Sequence, residues 1–156
     1  MSTDPRDVRS LAVTTGDVVT AYEARRRSDR RPVLRATPPF SGRMRARLHD
    51  PGPGAAAREG DDRDPETGAV HVPPARFVDE GAVPAYPTPD DTEDALRADP
   101  DAEFTVERHR ERHVAAVEAW REAVADAIAD SVVLRLDGDD HRVAVATLGD
   151  AGGPGE

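Results

Sequence analysis

Lysine, asparagine, glutamine and cysteine are missing from the 156 residues, and isoleucine occurs once, at Ile128. The lack of cysteine excludes disulfides, thiolate metal sites and a cysteine nucleophile. Large apolar side chains are scarce as well. The hydrophobic fraction is 37%, against ~45–50% in typical globular domains, and many of these residues are alanines that bury little area. Phe40, Phe77, Phe104, Tyr22, Tyr86 and Trp120 are the aromatics. A small core of marginal stability is expected, unless salt or a partner supports it. No apolar run approaches the ~18 residues of a membrane span, and Met1–Asp17 has no signal-peptide core. The expectation is a soluble, cytoplasmic protein with no membrane contact.

What is present is acid and arginine. All 21 basic residues are arginine, set against 31 acids, for a net charge of −10 and a pI near 4.9. GC-rich codons favour Ala, Arg, Gly, Pro, Asp and Val, and a carboxylate-rich surface stays solvated where salt precipitates other proteins. The composition therefore points to a high-GC genome translated in a salt-rich cytoplasm. Charge is also split along the chain. Residues 1–50 hold eleven arginines and six acids; residues 51–156 hold ten arginines and 25 acids. A basic half runs against the acidic trend of the whole and is the leading functional clue.

Local signals organise this into one α+β domain over residues 10–149. Residues 1–9 and 150–156 read as disordered tails. Thr14 and Asp17 stand at capping spacing before a helix expected over about Thr15–Arg27, with cations in its last turn. Val33–Thr37 and Arg43–His49 flank the turn PPFSG as a hairpin. In the second strand Met44, Ala46 and Leu48 face one side, and Arg43, Arg45, Arg47 and His49 the other. Residues 50–68 are low in complexity and read as a disordered loop, returning through a strand at Ala69–Val72. The Pro-studded stretch to Thr88 is expected to lie extended, pinned by Phe77 and Tyr86.

TPDD at Thr88–Asp91 starts a short helix to about Ala98. A longer one is expected from Pro100 or Thr105 to Asp130, its apolar face running through Val106, Val117, Val124 and Ile128, flanked by Val114 and Trp120. A second hairpin joins Val132–Leu136 to Arg142–Leu148 across DGDDH. The expected architecture is an antiparallel sheet of four to five strands with one long and one or two shorter helices packed on one face.

The segments SLAVTTGDVVTAYEARRR, VLRATPPFSGRMRARLH and YPTPDDTEDALRADPDAEFTVERHRERHVAAVEAW, in that order, resemble a small haloarchaeal family known only as a domain of unknown function. The resemblance spans about Ser10 to Trp120. It agrees with the salt-rich setting and implies no catalytic residue, cofactor or activity.

Two constellations could carry chemistry. His109 and His113 lie at i and i+4 on one helix face, a spacing that can hold a metal, with His49 or His71 as a possible third ligand. The order H-R-E-R-H is not a zincin motif, and Arg110 and Arg112 disfavour a dication, so no metal and no cofactor are favoured. The second is the arginine stripe Arg43, Arg45 and Arg47, with Arg35 on the neighbouring strand. Alternate strand residues stand ~6.6–7 Å apart, close to the phosphate spacing of a nucleic-acid strand. Arginine adds bidentate contacts, Arg25–Arg31 extend the patch, and Phe40 at the turn tip could stack on a base. Against this, the stripe could simply be a solvated face or pair with the acid half. Asp137–Asp140 resembles the start of a calcium loop but lacks its alternating ligands and closing Glu. Ser41 has no nucleophile-elbow context.

The leading expectation is a non-enzymatic binding module that uses Arg35, Phe40, Arg43, Arg45 and Arg47 for nucleic acid or a protein partner. The alternative is a small metal-dependent, hydrolase-like enzyme centred on His109 and His113.

Overall fold

In a computed structural model, which describes residues 2–52 and 61–149, the chain forms two sheets and three α-helices around one apolar cluster. The first sheet has the order β3-β1-β7-β6, from Arg43–Arg45, Ser10–Thr14, Asp139–Leu148 and Ser131–Leu136. The second has the order β4-β2-β5, from Arg47–His49, Val33–Ala36 and Val70–Val72. The helices are α1 (Thr15–Arg27), α2 (Pro89–Ala98) and α3 (Val106–Asp126). The fold is α+β, as expected, but the expected single antiparallel sheet is two sheets, one of them mixed.

The mixing comes from β1, whose SLAVT reads as no more than a lead into α1. It is parallel to both neighbours, with Ser10 opposite Arg43 and Ala144, and Ala12 opposite Arg45 and Ala146. Its alternation sends Leu11 and Val13 into the core, while Ser10 and Ala12 share the other face with Ala144 and Ala146. β6 and β7 form the expected hairpin, with a tighter turn at Asp137-Gly138. Both turn residues have positive φ, +53° and +84°, the conformation that suits a two-residue hairpin and favours Gly at the second position.

The expected hairpin of Val33–Thr37 with Arg43–His49 forms only in part. Of the segment 43–49 only β4 pairs with β2, antiparallel, Leu34 lying opposite Leu48. Residues 43–45 belong to the other sheet. Between them Ala46 is fully buried and donates its N–H to Ala12 O at 2.9 Å. One extended segment thus changes sheets at a single small residue, and the small side chain is what lets both sheets close on it.

Residues 2–9 are not a tail. Pro5–Asp7 make a 3-10 turn capped by Asp4, Val8 is 1% exposed, and Ser2 bridges Phe40 through reciprocal backbone bonds. Of the expected loop 50–68, residues 53–60 lie outside the described residues, as does the tail 150–156. Residues 61–68 are integral. Asp62 exchanges backbone bonds with Arg135 and His71, and its buried carboxylate accepts from the Arg76 guanidinium and from Arg135 N–H. A composition-averaged reading cannot register one buried, fully bonded acid.

The helix boundaries follow their caps. Thr14 and Thr105 each accept from the N–H three residues on, and Thr88 with Asp91 forms a full capping box. The apolar face of α3 differs from the expected one. Trp120 and Val124 are buried at its centre, whereas Val106 and Val114 are 66% and 56% exposed. Only the second half of α3 reaches the core, so the valines of its first half have nothing to cover.

Trp120 is the hub of the helical side. Tyr86 meets it edge-on at 4.7 Å, Tyr22 stacks on it at 5.8 Å, and its Nε1–H donates to Pro84 O. Next to it the buried Glu23 carboxylate accepts from Tyr86 Oη–H at 2.7 Å and from two nitrogens of Arg121 at 2.7 and 3.1 Å. Burial would raise the pKa of Glu23, but these donors and the nearby Arg27 charge outweigh it and hold the carboxyl below its ordinary value.

Candidate functional site

The strand segment 43–49 positions the arginine stripe. Alternation about the buried Ala46 keeps Arg43, Arg45 and Arg47 off the core side. Arg43 and Arg45 then border the small-residue face of the first sheet, beside Ser10 and Ala12. Arg47 stands directly opposite Arg35 in the second sheet, and Arg35 is opposite His71. The four arginines are therefore not one row but two pairs on adjoining sheets.

They share with several other arginines, Arg9, Arg110 and Arg135 among them, the lack of a carboxylate partner among the described residues, but Arg35 and Arg47 alone among the paired strand positions face each other. Among the described residues none of the four has a carboxylate within 4.0 Å or a side-chain hydrogen bond, and the Nε–H groups of Arg35 and Arg45 are buried without an acceptor. Several other arginines are held by acids. Arg6 pairs with Asp137, Arg26 with Glu80, Arg30 with Asp50, Arg76 with Asp62, Arg97 with Glu93, Arg112 with Asp99 and Arg121 with Glu23. Like charges directly opposite in a sheet are destabilising, and a buried donor without an acceptor costs ~1–3 kcal/mol. Arg35 and Arg47 meet the first condition; Arg35 and Arg45 meet the second.

Phe40 does not join them. It is 0% exposed, bridged through its backbone to Ser2, and packed in the core. A turn tip without the N-terminal segment would have left it in solvent, which is why the sequence placed it on the surface.

His109 and His113 do share one helix face, their rings stacked with centroids 6.2 Å apart. Each is engaged in docking α2 on α3. His109 Nε2 lies 2.9 Å from Pro89 O, and His113 Nδ1 lies 2.9 Å from Thr92 Oγ1. His49 and His71 stand together at 5.3 Å, but across the second sheet rather than beside α3. Among the described residues no group of three or more potential metal ligands converges. The acids of the calcium-like turn are bound by Arg6, through Asp137 and Asp139.

Sequence reasoning missed a cleft over the outer face of the second sheet. Its volume is about 480 Å³, and its lining mixes Arg25, Arg31, Arg35, Arg63, Arg76 and His49 with Asp61, Asp62, Asp64, Glu66 and Thr67. Arg25 is tied to Pro32 O through Nε and one terminal nitrogen at 3.2 and 3.1 Å. Burial, and then the adjacent Arg31 charge, push its pKa down. The one available signal was the run of arginines from 25 to 35. The acids of its lining could not be seen, because residues 61–67 reach it only by turning back along β5.

No helix among the described residues is long and apolar enough to cross a membrane. No curated protein and no solved structure matches the chain. The sequence profile of a domain of unknown function, DUF8009, matches residues 1–149, so it takes in the N-terminal turn, both sheets and all three helices. The chain belongs to the DUF8009 family.

Proposed function

We propose that the protein is a non-enzymatic binding module in which Arg35, Arg43, Arg45 and Arg47 receive an acidic segment of a partner protein. The observation that carries this is the cross-strand Arg35–Arg47 pair, left without a carboxylate in a chain that has ten more acids than arginines. Carboxylates satisfy several arginines elsewhere but not this directly opposed pair, and an unrelieved like-charge pair is a cost that an external anion would remove. A protein partner is favoured over nucleic acid because Phe40 is buried, so no aromatic stacking accompanies the guanidiniums.

The salt-rich cytoplasm inferred from composition belongs to this same proposal. There the Debye length is ~3 Å at 1 M salt, so binding must rest on short bidentate Arg–carboxylate contacts. The test is fluorescence anisotropy with a labelled Asp/Glu-rich peptide and a labelled single-stranded RNA of equal charge, at ~0.2 and ~2 M KCl. The expected result is peptide binding that persists at high salt and is lost in an Arg43→Gln/Arg45→Gln/Arg47→Gln variant of unchanged fold. Preferential RNA binding would replace the protein partner with nucleic acid. No binding of either, or equal binding by the variant, would leave the stripe a solvated face.

A further inference from the structure

We propose that the cleft between the outer face of the β4-β2-β5 sheet and residues 61–67 binds a small molecule carrying a compact, multiply charged oxyanion, of the phosphate-ester or diphosphate class. This site shares Arg35 with the strand face, but Arg43, Arg45 and Arg47 do not line it. Its volume of about 480 Å³ falls in the ~300–1,000 Å³ range of small-molecule sites.

Charge selects the ligand class. Arg25, Arg31 and Arg35 all line the cleft, and none is paired to a carboxylate among the described residues. Arg25 spends Nε and one terminal nitrogen on Pro32 O, which fixes its guanidinium plane, and the other terminal nitrogen makes no hydrogen bond among the described residues. Arg31 donates only to the neutral carbonyls of Ser28 and Arg30. Arg35 presents a buried Nε–H with no acceptor. Burial first, and then the neighbouring Arg31 charge, lower the pKa of Arg25, so two cations stand close together here. A monovalent anion could relieve only one of them. A phosphoryl group offers several acceptor oxygens in the geometry guanidinium forks match.

The acids of the cleft select against the wrong polyanion. Asp61, Asp62, Asp64 and Glu66 share the lining with the arginines and repel a continuous phosphate backbone, so the ligand's charge must be compact. The neutral remainder would face Asp61 and Thr67, which can accept hydrogen bonds from its hydroxyls.

The experiment is isothermal titration calorimetry of the full chain with inorganic pyrophosphate and, separately, inorganic phosphate, at ~0.2 and ~2 M KCl. Expected is saturable one-to-one binding of pyrophosphate, tighter than phosphate and retained at high salt. Arg31 is exposed, so Arg31→Gln should fold normally and weaken pyrophosphate by roughly tenfold or more, the scale of one charge-assisted contact. Arg35→Gln should do the same; if it unfolds, Arg31→Gln decides alone. Arg43→Gln/Arg45→Gln should leave pyrophosphate binding unchanged, which separates this site from the strand face. No saturable binding, or weakening by Arg43→Gln/Arg45→Gln but not by Arg31→Gln, would overturn the proposal.

Discussion

The α1–α3 interface and the outer faces of the strands use the same cation in opposite ways. At the interface Arg121 is locked to Glu23 by two short bonds, Tyr86 adds a third to the same carboxylate, and Trp120 seals one side. On the strands Arg35 and Arg47 face each other with no acid between them. The chain has acids in excess, so the difference is one of placement. Where arginine holds elements together its charge is matched locally. Where it is left unmatched opposite another arginine, a like-charge cost remains, which the proposed binding would relieve.

The sharpest way to break this contrast lies inside the sheets. Asp62 is an acid of the strand side that behaves like one of the helical side, buried between Arg76 and Arg135 N–H. Asp62→Ala strands the Arg76 charge and should cost ~3–5 kcal/mol, read from urea midpoints. A loss below about 1 kcal/mol would mean that the segment 61–68 does not hold the two sheets together.

Glu23→Ala should cost slightly less, ~2–3 kcal/mol, since Arg121 can turn to solvent. The sign of its pH dependence is fixed by the lowered pKa. A carboxyl that titrates lower when folded contributes fully above the ordinary glutamate range, ~4.3. That contribution is lost as pH falls through the depressed value. Wild type should therefore lose more stability than Glu23→Gln between roughly pH 5 and 3. Parallel acid profiles would remove Glu23 from the account.

Salt should sharpen the comparison next. Screening relieves the net repulsion of −10 charges and excluded salt strengthens burial, so the thermal midpoint should rise between ~0.1 and ~2 M KCl. A flat or falling midpoint would remove the salt-rich setting. The smallest effect belongs to the stripe itself. Each of Arg43→Gln, Arg45→Gln and Arg47→Gln should change stability by no more than ~0.5 kcal/mol, with Arg47→Gln neutral or stabilising because it removes the charge opposite Arg35. A substantial loss for Arg47→Gln would show that the arginines are structural.

Local chemistry was legible and non-local chemistry was not. The helix Thr15–Arg27 was readable to the residue, because Thr14 and the terminal arginines mark its ends. Thr88 likewise announced Pro89–Ala98. β1 was invisible because its partners lie at residues 43 and 144, and no short-range pattern encodes a parallel pairing. The alternation of residues 43–49 runs unbroken through Ala46, so periodicity cannot say that the strand changes sheets there. Trp120 was placed at the edge of its helix because the wheel weights all valines alike, although half of α3 overhangs the core. At the candidate site the identity of the arginines could be read. Whether acids met them could not, since that depends on where 31 carboxylates end up in space.

The switch at Ala46 also bears on how the protein opens. Residues 43–45 and 47–49 cannot detach separately, because the fully buried Ala46 between them is anchored to Ala12 O. Amide hydrogen exchange should then report the two sheets as one cooperative unit with shared opening free energy, while the exposed first half of α3 exchanges ahead of them. An anion seated on Arg47 would slow exchange at Ala12 and Ala46 as well, in a sheet it never touches.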